Sequence, residues 1–171
     1  MLRLAKAFLD IALWRKSPAQ LPASAFLLGL VAFLVALLEI IAGLLPPNPS
    51  HRLLTRVALS VGLPLLFTWV VLRIAHRPQR FLQTGSALLG IAVFAQLLIY
   101  PIGALLEYVG ADRLISLPLG LLLFLGMLGY LFACAHIWRM ALDAGVALGA
   151  AVSIGYLLLS MALEQRFLTQ S

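Results

Sequence analysis

Apolar residues do not alternate along this chain; they come in long runs separated by short polar or proline-marked breaks. The first run, residues 24–45, reads SAFLLGLVAFLVALLEIIAGLL, and its one charged residue is Glu39. At about 1.5 Å per residue a helix of this length reaches about 33 Å, enough to cross a hydrocarbon core of about 30 Å. Four further runs follow at 53–75, 83–107, 114–138 and 144–163. The breaks between them carry Pro46, Pro47 and Pro49, then His76-Arg77-Pro78-Gln79-Arg80, then Gly110-Ala111-Asp112-Arg113. The pattern predicts an all-α polytopic membrane protein whose five transmembrane helices form a single domain over 24–163. Pro64, after Gly62, predicts a kink in the second helix, because a proline removes a backbone donor.

Ahead of the first span, Arg3, Lys6 and Asp10 recur at spacings of three and four, with Leu2, Leu4, Phe8, Leu9, Ile11, Leu13 and Trp14 around them. One narrow polar stripe on an otherwise apolar segment, closed by Trp14, Arg15 and Lys16, predicts an amphipathic helix over 1–16 in the membrane interface. Pro18 and Pro22 then turn the chain into the first span. Asp10 and the Arg15-Lys16 pair argue against a cleavable signal peptide, since they interrupt the early apolar stretch. Residues 164–171 read as a short polar tail.

Composition removes whole classes of function. With 63% hydrophobic residues, 11% charged and a mean hydropathy of +1.07, the chain lies far from soluble domains, where about 25% charged is usual. The net charge of +6 suggests nucleic acid, but the basic residues sit at helix ends instead of in one patch, so no nucleic-acid partner is expected. Arg3, Lys6, Arg15, Lys16, Arg73, Arg77, Arg80 and Arg139 fall on one side of a five-span layout, and Arg52, Arg56, Arg113 and Arg166 on the other. The first group reads as lipid-headgroup contacts and puts the N-terminus in the cytoplasm and the C-terminus outside. In the fourth span Ile137-Trp138-Arg139 reads as an interfacial anchor. The single cysteine, Cys134, excludes an intrachain disulfide and a Cys-rich metal site.

Glu39 is the residue that chemistry must answer, because a carboxylate in hydrocarbon is costly unless it is paired, protonated or facing water. It lies about 9 Å inside the first span, and the second span re-enters from the same side with Arg56 about one turn in. The expected solution is a structural Glu39–Arg56 ion pair, with Gln96 as a further partner. The functional alternative is a proton or cation site, but Asp10, Asp112 and Asp143 fall in flanks and connections and supply no relay. His76 and His136, near one end of antiparallel spans, raise haem or a metal as an option, on a weak spacing signal. No cofactor or metal is expected. Nothing matches a HExxH pair or a Gly-x-Ser-x-Gly elbow, and Ser116, Ser153 and Ser160 have no histidine at a matching depth, so an enzyme is not expected.

Small residues supply the remaining signal. Gly145, Gly149 and Ser153 recur every four residues in the fifth run, as do Gly129 and Ala133 in the fourth, which predicts a helix-packing face. That face serves either contact between spans four and five or docking of a partner membrane protein or second copy. The layout of five spans with an amphipathic leader, together with HIWRMALDAGVALGAAVSIGYLLL at 136–159, resembles the bacterial members of the Yip1-like superfamily. The Asp-Leu-Tyr-Gly-Pro type signature of eukaryotic members is absent, so their vesicle-trafficking role is not implied. The resemblance implies a bacterial inner-membrane protein with an accessory or organising role and not an enzyme; the glycine-lined helices and the amphipathic segment point to helix–helix binding of membrane-protein partners and to contact with lipids. The alternative is a small transporter or channel subunit with Glu39 and Gln96 as polar lining. That alternative requires polar groups continuous through the membrane, whereas the sequence shows them mainly near the two faces.

Overall fold

The computed structural model describes residues 22–44, 52–109 and 113–169. The interfacial helix expected over 1–16, with Arg3, Lys6, Arg15 and Lys16, lies outside the described residues. Among those described, five helices are long and apolar enough to cross a membrane, which makes this a multi-pass all-α membrane protein.

The first, α1 (Ala25–Leu44), buries Leu27, Val31, Val35, Glu39 and Gly43, one residue every four. Its other faces keep Phe26, Phe33 and Ile41 exposed, as a helix against lipid does. The second, α2 (Leu53–Ile74), is α-helical except for a five-residue π-helical turn, Ala58–Gly62, directly before Pro64. The expected kink takes this form because the proline ring has no N–H to return to the preceding turn; widening that turn makes room for it. Thr68 Oγ1, fully buried, donates to the Pro64 carbonyl at 2.6 Å.

α3 (Phe81–Val109) and α4 (Arg113–Leu142) both outrun the predicted spans, and α5 (Val146–Glu164) continues into a π-helical turn, Gln165–Thr169. α1 and α2 both pack on α3, α3 packs on α4, and α4 on α5. The extra turn of α4 corrects the expected anchor. Because the helix runs on to Leu142, Trp138 lies a turn inside it and is 1% exposed, with Phe67 edge-on at 5.7 Å.

Two helices end together on this side of the bundle. At the end of α2 the Arg77 amide reaches the Leu72 carbonyl at 2.8 Å and the His76 amide reaches Arg73 at 3.1 Å, the paired bonds of a Schellman turn. At the end of α4 the Ala144 amide reaches the Arg139 carbonyl at 3.0 Å. His76 and Asp143 take the left-handed positions of these turns, with φ of 55° and 48°. Arg80 joins the two: its guanidinium donates to the Met140 and Ala141 carbonyls at 2.9 and 3.0 Å and to Asp143 Oδ2 at 2.9 Å, and Arg77 pairs with the same carboxylate. Hydrogen bonds from Arg80 and Arg77 hold the Asp143 carboxyl down at about 2, below the usual 3.8. Arg77 and Arg80, expected at lipid headgroups, are thus engaged by the protein.

Candidate functional site

The site lies toward the other end of the bundle, around Glu39. The four-residue stripe of α1 turns this carboxylate inward, where it is 8% exposed. Arg56 Nε stands 3.4 Å from Oε2, Gln96 Nε2 donates to Oε1 at 3.1 Å, and the Tyr100 hydroxyl donates to the same oxygen at 2.6 Å. Three helices therefore meet at one carboxylate. Hydrogen bonds to a charged group contribute about 1.5–3 kcal/mol each, which offsets the cost of burying a carboxylate away from water.

Beside this cluster opens a cavity of about 470 Å³. Glu39, Gln96, Tyr100 and Glu164 line one end of it, and Cys134, Trp138 and Ser153 the other. Along α3 its wall runs from Leu88 to Tyr100, about 18 Å at 1.5 Å per residue, more than half of a hydrocarbon core of about 30 Å. Most of the wall is apolar, but hydroxyls recur along it, from Ser60 and Ser160 to Tyr156, Thr68, Tyr130 and Ser153. Polar groups are therefore not confined to the two faces, as the linear reading suggested. They come from different helices at successive depths, so no single run of sequence displays them together. The π-helical turn of α2 also borders the cavity, through Leu59 and Ser60. Phe67 anchors the inner aromatic group, with Trp138 at 5.7 Å and Tyr156 at 5.3 Å between ring centroids.

Tyr100 and Glu164 were missed at the sequence level. Tyr100 follows Gln96 by four residues and so shares its helix face, a signal that was available. Glu164 read as the start of a polar tail, but α5 extends to it and then into Gln165–Thr169. Arg52, on the same end, donates to the Phe167 carbonyl and ties α2 to this extension.

The small-residue face divides. A Cβ built on Gly149 would lie 2.5 Å from the Ala135 carbonyl oxygen and 2.9 Å from the Arg139 amide, so α5 is seated directly on the backbone of α4. Ala133 and Ser153 are buried beside this seat, at 3% and 1% exposure. Gly129 and Gly145 have nothing within 4 Å of a built Cβ. Arg73 lies over the Trp69 ring at 5.5 Å, and Arg139 is half-buried. His76 is exposed while His136 is buried, and neither lines the cavity. No group of three or more His, Cys, Asp or Glu side chains that could hold a metal occurs among the described residues.

The chain matches no protein-family model, no curated protein and no solved structure. The functional reading therefore rests on the geometry of the cavity and of the Glu39 cluster.

Proposed function

We propose that this protein is a small membrane transporter or channel subunit whose polar site is formed by Glu39 and Gln96, joined by Tyr100. The observation that carries this reading is the cavity of about 470 Å³ that starts at these residues and reaches Trp138. Its volume is that of a site for a small molecule, within the usual range of about 300–1,000 Å³. Intramembrane carboxylates that face a cavity commonly mark the path of a solute. The widened turn of α2 adds support, since π-helical turns recur at functional sites.

An accessory or organising role exercised through helix faces has less behind it. Gly149 and Ser153, the residues best suited to dock a partner helix, are turned into α4. We further propose a bacterial inner-membrane location with the Asp143 end cytoplasmic, on the distribution of arginine and lysine and on the Yip1-like layout. Reporter fusions after Asp143 and after the C-terminus would test the orientation; a cytoplasmic signal from the C-terminal fusion would reverse it.

The direct test is reconstitution of the purified chain in liposomes on a solid-supported membrane, with inorganic ions and small organic ions applied in turn. A solute-dependent current that Glu39→Gln and Gln96→Leu both diminish is the expected result. Absence of current for every solute, with folded protein in the liposomes, would remove the transport reading.

A further inference from the structure

The protons along the cavity wall are largely directed back into the protein. Ser60 Oγ donates to the Val57 carbonyl at 3.2 Å, Thr68 Oγ1 to Pro64 at 2.6 Å, Ser160 Oγ to Leu157 at 2.9 Å and the Tyr100 hydroxyl to Glu39 at 2.6 Å. Gln96 is oriented by the same logic. The Glu39 carboxylate that Arg56 pairs with can only accept, so the amide must present its Nε2, at 3.1 Å. Its Oε1 is then turned away, buried and without a partner.

What the wall leaves for a ligand is therefore mostly electron-rich. It consists of Gln96, whose Oε1 has no partner, Glu164, and the aromatic side chains of Phe67, Trp138 and Tyr156. Ser153 Oγ, 1% exposed and also without a partner, adds a group at the inner end. Among the described residues, no lysine or arginine lines the cavity. The guanidinium of Arg56 is held at Glu39 Oε2, and that of Arg52 at the Phe167 carbonyl, while Glu164 forms no ion pair among the described residues. An unpartnered buried acceptor costs about 1–3 kcal/mol, so Gln96 Oε1 favours a ligand that brings a donor. The aromatic side chains suit the apolar body of such a ligand.

We infer that the cavity takes a hydrophobic ammonium ion, with its N–H groups on Gln96 Oε1 and Glu164 and its apolar body among Phe67, Trp138 and Tyr156. The inference rests on the cavity being the working site and names the class of solute it admits. An anion would meet Glu39 and Glu164 with no lysine or arginine on the wall among the described residues. A neutral amphiphile or lipid chain would fill the volume but leave the acceptors unanswered.

The test uses three probes with one body and different heads: 4-phenylbutylammonium, 4-phenylbutanol and 4-phenylbutyrate. Calorimetry on the purified full chain in mild detergent should give the ammonium an affinity at least about tenfold above the alcohol, with the carboxylate weakest. Glu164→Gln, at an exposed helix end, and Gln96→Leu should each shrink the preference for ammonium over alcohol by about fivefold or more. Equal binding of ammonium and alcohol would overturn the ammonium assignment while leaving the cavity as an apolar binding site. Failure of all three probes, with phospholipid retained on the protein in native mass spectrometry, would overturn both the assignment and the proposed site.

Discussion

At the Asp143 end, α3 is buried on every side from Thr84 to Ile91 and α4 from Ala133 to Trp138. Toward the Glu39 end no side chain of α4 from 115 to 132 is buried, and the same helices border a cavity. The small residues are concentrated accordingly. Gly85 admits Leu28 and Leu65, Gly149 admits the α4 backbone, and Ala133 and Ala135 are buried beside that seat. Close backbone approach is what holds helices together in lipid, where no hydrophobic drive separates one apolar surface from another. One end is thus built by packing and by the Arg80 clamp. The other is held by side-chain hydrogen bonds to a single carboxylate, which leaves a cavity between the helices.

The largest effect should come from filling the tight seat. Gly149→Leu should destabilise the folded chain in detergent by about 3 kcal/mol, because the obstacle is backbone and cannot move aside. A neutral result in thermal unfolding would show that α4 and α5 are not anchored there. Arg56→Leu comes next, at about 2 kcal/mol; this is below the usual cost of breaking a buried pair because the arginine is 29% exposed. Glu39→Gln in that background should restore part of the loss, and a double-mutant cycle without coupling would show that the pair does not hold α1 to α2. Tyr100→Phe should cost about 1 kcal/mol, the removal of one donor from a carboxylate that keeps two others.

The smallest effect, and the one with a pH signature, belongs to the clamp. The Asp143 carboxyl titrates at about 2 when folded against an ordinary 3.8, so its contribution is complete above about pH 4. It is lost as the pH falls toward 2, where the carboxyl takes up its proton in the folded chain. Asp143→Asn should therefore lower the unfolding temperature slightly at pH 7, by a gap that shrinks as the pH falls through 2. Because the carboxylate is solvent-exposed, added salt should narrow the gap at pH 7. A difference as large at pH 2 as at pH 7 would assign the effect to the left-handed backbone at this position and not to Arg77 and Arg80.

Much of the helical architecture was legible in the linear pattern, because a helix in hydrocarbon must satisfy its own backbone and cannot stop midway. The turn at Pro64 was legible for the same local reason, a missing N–H, although its π-helical form was not. Helix ends were less so: α4 passes Arg139 and ends at Leu142, because the charged side chain did not stop the helix. That one turn carries Trp138 from a supposed surface anchor to the floor of a cavity. Near Glu39, the depth count along α1 and α2 pointed to Arg56, since both residues are measured from one short connection. Tyr100 and Glu164 belong to helices whose rotation and length no local spacing sets.

By itself, then, the sequence determined a five-helix membrane protein with one carboxylate in its first span, since length and hydropathy act through each helix separately. Only the tertiary structure decided what that carboxylate faces. Seating Gly149 on α4 and clamping Arg80 to Asp143 set the rotation of the helices about one another. That rotation gathers Gln96, Tyr100 and Glu164 around Glu39, and the hydroxyls of other helices in depth below them, because a cavity is a property of the space between helices and of no one helix alone.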